Sequence, residues 1–148
     1  MEFYLIVGLL LLVGFYYMKH RIATKQKIKS RADSDLSDLV SLYNSTVGGI
    51  DEDQFVRSLG KVSEFFSIPV EKIRLNDVIG EDLGAVPPFS MIDSAATEDF
   101  YEHIYEEKEA NNIAYDEKIV TVSDFIKFEN FIYRNLLLLD NYGVSKAG

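Results

Sequence analysis

The sequence contains no cysteine and only two histidines, His20 and His103, so the usual donors of metal sites are scarce. The histidines do not form an H-x-x-x-H pair, and a dedicated transition-metal site is therefore not expected. No G-x-S-x-G elbow is present for a serine hydrolase. The acidic runs lack the alternating spacing and central glycine of a calcium loop. These absences favour a protein that is not an enzyme and that binds no metal.

Charged side chains are missing from residues 3–18, and acids are missing from residues 19–31, which carry six Lys or Arg. A continuous apolar run indicates a transmembrane helix, and snorkelling flanks can extend a run that is shorter than about 20 residues. A cleaved secretory signal has positive charge before the apolar run, which is the opposite order. The basic flank predicts a single-pass protein of the inner (cytoplasmic) membrane with its C-terminal domain in the cytoplasm.

The charge balance reverses after the basic segment. From residue 33 onward the chain has nine Lys or Arg against 23 Asp or Glu. A domain this acidic does not bind nucleic acid backbones. It should instead recognise a basic surface on a protein partner, while residues 3–18 and the basic flank bind the membrane.

Apolar residues recur at helical spacing, and no stretch alternates with the period of a strand, so the sequence predicts an all-α fold. The predicted order is a transmembrane anchor at 1–18, a basic juxtamembrane linker with a short amphipathic helix at 19–50, a helical domain at 51–143 and a tail at 144–148. The short helix is expected to begin at Asp33 or Ser34 and to end at Gly48-Gly49.

Three main helices are predicted in the domain. The first runs from Asp51 to Ser67 and carries one apolar stripe of Phe55, Leu59, Val62 and Phe66. The second opens at Asp93 or Ser94, and the last opens at Thr121 or Ser123 and ends at Gly143. The connection between the first two is rich in apolar residues, so it should be a structured loop over a small helical bundle.

The order of these parts resembles the acyl carrier protein family over residues 51–135. The segment "EKIRLNDVIGEDLGA" looks like the loop that runs into that family's E-D-L-G-A turn. The segment "IVTVSDFI" is similar to the family's I-T-T-V-x-D-x-I segment. The resemblance implies a three- to four-helix bundle, here preceded by a single transmembrane helix. It also implies a D-S-L serine that carries 4′-phosphopantetheine.

On this resemblance Ser94 matches the modified serine and Asp93 matches the aspartate before it. The acidic face that partner enzymes read would include Asp99, Glu102 and Glu106. The sequence departs from the family at this site, since about eight residues stand between Ala85 and Ser94 and Ala95 replaces the leucine. A related bacterial group keeps the carrier fold and has lost the serine, so Ser94 is either a helix cap without a cofactor or a pantetheinylated serine.

Three functions follow from these features. The first is a non-enzymatic adaptor, without a cofactor, that docks a protein partner at the membrane. The second is a working carrier in lipid metabolism that delivers acyl groups from Ser94 to a membrane enzyme. The third is a structural subunit that oligomerises through its C-terminal helix, where Phe131, Leu137 and Leu138 add apolar surface. The alternative for that surface is a thicker core packed against residues 36–43.

Overall fold

The computed structural model describes residues 2–84 and 95–141. The helices in these ranges are α1 (Glu2–Lys29), α2 (Leu36–Thr46), α3 (Glu52–Phe66), α4 (Ala95–Ala110) and α5 (Val122–Asn141), with a 3₁₀ turn at Val70–Lys72. Within the same ranges, β-pairing is limited to the isolated bridges Val78–Thr121 and Ile79–Leu83. The predicted all-α fold is confirmed.

The central helix of the bundle is α3, because α2, α4 and α5 each pack against it. Its predicted apolar stripe is confirmed: Phe55, Leu59 and Val62 are fully buried, and Phe66 is partly buried against the core. Helices α4 and α5 meet this stripe through Phe100 and Phe125, whose ring centroids lie 4.7 Å apart. Burying a side chain of this size stabilises the fold by about 1.5–3 kcal/mol, so this aromatic layer holds the three main helices together.

Residues 68–84 form the predicted structured connection. Four of its apolar side chains are buried in the core: Ile68, Ile73, Ile79 and Leu83. The carbonyl oxygens of Asp77 and Leu75 accept hydrogen bonds from the N–H groups of Val122 and Ser123, at 3.1 and 2.9 Å. The first N–H groups of any helix lack partners within the helix. The loop therefore supplies the acceptors that the start of α5 needs.

The predicted start of the short amphipathic helix is wrong by one or two residues. Helix α2 is capped by Asp35, whose carboxylate accepts hydrogen bonds from the hydroxyl and the N–H of Ser37. These bonds stabilise the charged form and lower the pKa of Asp35. The side chain of Asp33 pairs instead with Lys72 at 2.6 Å, and the N–H of Ser34 donates to the carbonyl of Glu71.

Of the two predicted starts of the last helix, Thr121 is the cap. Its hydroxyl accepts from the N–H of Asp124 at 3.2 Å, and the Asp124 carboxylate accepts from the N–H of Thr121 at 2.8 Å. This reciprocal pair satisfies two donors at the helix start. The predicted terminator Gly143 and the tail 144–148 lie outside the described residues.

The basic segment that was predicted to be a linker is helical, because α1 continues to Lys29. No glycine or proline interrupts residues 15–47, and Lys, Arg, Gln and Ala are good helix formers. In the last turn of α1, Ile28 is only 6% exposed and belongs to the core of the bundle. The end of α1 is therefore part of the folded domain.

In the first half of α1, large apolar side chains are exposed: Tyr4, Ile6, Leu9, Leu10, Leu11, Leu12, Phe15, Tyr16 and Met18. Among the residues that the structure describes, no helix is both long enough and apolar enough to cross a membrane. The transmembrane anchor at 1–18 is thus not confirmed and stays a prediction.

A buried carboxylate joins α3 to α5. The side chain of Glu129 is 6% exposed, and it accepts hydrogen bonds from Lys61 Nζ at 2.8 and 3.0 Å. The same Nζ atom lies 3.9 Å from Glu107 Oε1 of α4. One ammonium group therefore serves carboxylates on two neighbouring helices.

We predict that Lys61→Ala lowers the free energy of unfolding by about 2 kcal/mol, because it leaves the Glu129 carboxylate buried without its cation. The matched control is Lys127→Ala, which removes an exposed pair with Glu117 and should cost about 0.5 kcal/mol. Urea denaturation of the two variants measures the difference. Equal losses would contradict a special role for the buried pair.

Candidate docking surface

The outward face of α4 is acidic. Its exposed carboxylates belong to Glu98, Asp99, Glu102, Glu106 and Glu109. The opposite face buries Phe100 and Ile104 in the core. Successive residues of a helix are about 100° apart, so the carboxylates form one broad stripe that points away from the bundle. The structure exposes all three residues predicted to bind a partner; the binding itself stays a prediction.

Two tyrosines flank this stripe along one edge. The side chains of Tyr101 and Tyr105 are 40% and 60% exposed. The hydroxyl of Tyr101 donates to the carbonyl of Ile119 at 3.2 Å, and that of Tyr105 donates to the carboxylate of Glu109. We call the five carboxylates and these two rings the α4 face. Sequence reasoning missed the tyrosines, although their four-residue spacing beside Glu98 and Glu102 was a usable signal.

The charge of the α4 face comes from its carboxylates alone. Burial raises the pKa of Tyr101, with a further contribution from nearby Asp124. The hydrogen bond to Glu109 raises the pKa of Tyr105. Both rings therefore stay neutral near pH 7. Exposed tyrosines beside charges are typical of residues that contribute strongly to protein interfaces.

Most acids of the α4 face have no cation partner in the part of the chain that the structure describes. Among the described residues, no Lys or Arg lies within ion-pair distance of the four carboxylates of Glu98, Asp99, Glu102 and Glu106. The helix's own cation, Lys108, faces the other way and donates to the carbonyl of Tyr115 at 2.9 Å. The negative charge of this face is available to an external partner.

His103 packs on the inner side of α4. The side chain of His103 is 25% exposed, and its ring lies 5.3 Å from that of Phe65 between centroids. Its Nε2 atom is 3.9 Å from Glu107 Oε1 and makes no hydrogen bond. In the parts of the chain described here, no group of three or more acids and histidines is placed to hold a metal ion. His103 is thus a largely buried residue that packs against α3.

The residues predicted to hold phosphopantetheine, Asp93 and Ser94, lie outside the described residues. The structure does describe the turn that precedes them and the helix that follows. In the turn, the N–H of Gly80 donates to the carbonyl of Leu83 at 2.7 Å. The carboxylate of Asp82 accepts from the N–H of Val78 at 3.1 Å. These bonds give the E-D-L-G segment a fixed shape.

This turn is pressed against the first turn of α4. At Gly84, where φ is +73°, an added β-carbon would lie 2.8 Å from Thr97 Oγ1 and 2.9 Å from a ring carbon of Phe66. The turn at Gly84 therefore lies in direct contact with the first turn of α4 through Thr97.

A second exposed surface lies beyond the bundle core on α5. The side chains of Phe131, Leu137 and Leu138 are 38%, 43% and 53% exposed. They are thus not packed in a thicker core against residues 36–43. A groove of about 280 Å³ lies beside them. It is lined by Asn111, Asn112, Ile113, Ala114, Phe131, Asn135 and Leu138.

Comparison of the chain with protein-family models, with curated proteins and with solved structures finds no match. Three features of the chain bear on its function: the α4 face, the exposed first half of α1 and the sequence resemblance to carrier proteins.

We predict that Gly84→Ala lowers the free energy of unfolding by about 2–3 kcal/mol, because it combines a strained positive φ with overpacking against Thr97 and Phe66. Gly80→Ala is the control. Gly80 also has a positive φ, +88°, but its added β-carbon would meet only Thr97 Cγ2, at an ordinary 3.5 Å, so we expect about 1 kcal/mol. Thermal unfolding compares the two, and equal losses would mean that the turn does not press on α4.

Proposed function

We propose that this protein is a membrane-tethered, non-enzymatic docking module of the acyl-carrier type, and that it binds a basic surface of a protein partner at the cytoplasmic face of the inner membrane. The observation that supports this most strongly is the α4 face. Within the described part of the chain, no cation pairs with its exposed Glu98, Asp99, Glu102 or Glu106. Two exposed tyrosines flank these carboxylates. Complementary charge speeds association and selects partners, and the rings supply contact area.

The tether is supported by the first half of α1. Four consecutive leucines, Leu9 to Leu12, are 63–69% exposed. Four consecutive helical residues span all sides of a helix, so the apolar surface is presented all round and not as one stripe. This pattern is typical of a helix that is surrounded on all sides by an apolar environment, such as the interior of a bilayer. The exposed lysines Lys19, Lys27 and Lys29 follow on the side where an anionic leaflet would attract them.

The docking proposal predicts that charge reversal on α4 weakens binding of a basic partner. The probe is a fluorescent helical peptide of alternating lysine and leucine pairs, and the protein is full length in vesicles. We expect the triple variant Asp99→Lys, Glu102→Lys, Glu106→Lys to raise Kd at least about 10-fold, since each lost attraction becomes a repulsion. Fluorescence anisotropy at low and high salt measures the effect.

The matched control is the triple variant Glu64→Lys, Glu81→Lys, Asp116→Lys. It makes the same change in net charge at exposed positions outside the α4 face. We expect it to change Kd less than threefold, because most of the attraction is local at physiological salt. If the control loses as much affinity as the α4 variant, the peptide senses only net charge and α4 is not the docking surface.

A working acyl carrier is the alternative function. It is supported by the contact between Gly84 and Thr97, because that contact brings the start of α4 directly against the carrier-like turn. A helix N-terminus favours the negative charge of a phosphodiester. On this alternative Ser94 bears 4′-phosphopantetheine, Asp93 precedes it, and the cargo is an acyl thioester.

The carrier alternative predicts a gain in mass. Protein produced with a broad-specificity phosphopantetheinyl transferase should gain the mass of one phosphopantetheine arm by intact mass spectrometry. The gain should disappear in Ser94→Ala and persist in Ser90→Ala, since only Ser94 follows an aspartate at the start of α4. A wild-type protein without the gain would contradict the carrier and would leave the docking proposal in place.

Assembly through the C-terminal helix is a further alternative. It is supported by the exposed Phe131, Leu137 and Leu138 and by the adjoining groove. We rank it below the other two because the groove has no charge that would select one occupant.

A further inference from the structure

Arg31, two residues after the end of α1, is joined to the loop at residues 68–84 by partly buried polar contacts. Arg31 Nη1 lies 2.7 Å from Asp77 Oδ2, and these side chains are 17% and 5% exposed. The same nitrogen donates to the carbonyl of Lys72 at 3.1 Å, and Lys72 Nζ donates back to the carbonyl of Arg31. Together with the buried Ile28, these contacts fix the position of the helix end.

The short link between α1 and α2 is held by the same loop. The guanidinium of Arg74 donates to the carbonyl of Ala32, and the N–H of Ser34 donates to the carbonyl of Glu71 at 2.8 Å. If α1 swung away, Ile28 of its last turn would leave the core. If the residues up to Arg31 moved with it, the buried Asp77 carboxylate would also lose its cation, which is unfavourable in a low-dielectric interior. The contacts therefore oppose a hinge at the end of α1.

The bundle has two distinct ends relative to α1. The proximal end contains the loop at 68–84 and the start of α4, and it is where α1 ends. The distal end contains Gly49, whose carbonyl accepts hydrogen bonds from Asn130 and Arg134 of α5. From Met18 to Lys29 the helix rises about 17 Å at 1.5 Å per residue. The proximal end is thus separated from the apolar run by a short helical spacer.

We propose that α1 is a rigid spacer that holds the proximal end of the bundle toward the membrane, and that the α4 face is thereby presented to the basic cytoplasmic loops of another membrane protein. The part of this inference that concerns the membrane rests on the proposed function. Membrane proteins concentrate Lys and Arg in short cytoplasmic loops close to their spans. An acidic surface held near the bilayer meets such loops and is repelled by the anionic lipid.

The rigidity of the spacer is tested by electron–electron distance measurements between two spin labels. The chain has no cysteine, so Gln26→Cys on α1 and Glu106→Cys on α4 give a unique pair in the full-length protein in anionic vesicles. We expect one narrow distance distribution. It should broaden in Arg31→Ala and stay narrow in Lys29→Ala, which removes an exposed charge from the same turn.

A broad distribution in the otherwise unchanged protein overturns the rigid spacer, whatever the variants do. A distribution unaffected by Arg31→Ala overturns the role of the Arg31–Asp77 pair. The pair Glu52→Cys and Glu106→Cys reports the bundle alone and should stay narrow throughout. If Arg31→Ala also broadens the distribution of this bundle pair, the variant has disturbed the fold, and Arg31→Lys is used in its place. Because Arg31→Lys keeps the positive charge, its α1–α4 distance distribution must stay close to that of the protein with Arg31.

The orientation is tested by energy transfer from a fluorophore to acceptor-labelled lipid. A label at Glu81→Cys, on the proximal end, should transfer several-fold more strongly than one at Ser45→Cys near the end of α2. Equal transfer overturns the end-on orientation. Vesicle flotation is measured in parallel with the energy transfer. A protein that does not float with the vesicles contradicts the membrane tether. In that case the spin-label distances, measured in solution, still test the rigidity of α1.

The partner is tested with a synthetic transmembrane peptide that carries four lysines on its cytoplasmic flank. In the same vesicles it should associate with the labelled protein, and a peptide with serines in place of the lysines should not. Association should be lost in the triple variant Asp99→Lys, Glu102→Lys, Glu106→Lys and fall several-fold in Arg31→Ala. Equal association of both peptides overturns recognition of basic loops.

Discussion

The buried carboxylate of Asp77 joins three parts of the chain that are distant in sequence. Its Oδ2 atom accepts hydrogen bonds from Arg31 Nη1 at 2.7 Å and from the N–H of Arg74 at 2.8 Å. The backbone carbonyl of Asp77 accepts a hydrogen bond from the N–H of Val122 at the start of α5. A buried charge is costly unless it is paired and hydrogen-bonded. Meeting that requirement sets where α1 ends, how the loop runs and where α5 begins.

The distribution of cations determines which acids remain free. Several Lys and Arg side chains outside the first half of α1 are used within the fold: Arg31 with Asp77, Lys61 with Glu129, Lys72 with Asp33, and Lys108 with the carbonyl of Tyr115. The acids in these pairs lie on α5, in the loop at residues 68–84 and in the link before α2. On α4, Glu107 lies 3.9 Å from Lys61, whereas Glu98, Asp99, Glu102 and Glu106 have no cation partner among the described residues. Net charge alone would not have located the acidic face, because it does not say which acids are neutralised internally.

Local patterns predicted α3, α4 and α5 well, since the spacing of Phe55, Leu59 and Val62 requires only the period of a helix. The start of α2 was predicted wrongly for a tertiary reason. Asp33, Ser34 and Asp35 are all good caps by residue type. Asp35 is the cap of α2 because Lys72 binds the side chain of Asp33 and the carbonyl of Glu71 accepts a hydrogen bond from the N–H of Ser34. Those partners lie almost forty residues away in the sequence.

The sequence by itself determined the helical class, the buried stripes and the division into a basic first segment and an acidic domain, because each depends on neighbours within one or two helical turns. Only the tertiary structure decided that the basic segment stays helical to Lys29 and that Gly84 lies against Thr97. It alone also showed that Lys61 serves carboxylates on two helices. These outcomes depend on contacts between residues far apart in the chain. Burial decides these outcomes. An unpaired charge is costly where packed neighbours exclude water, and an added β-carbon is costly where those neighbours leave no space.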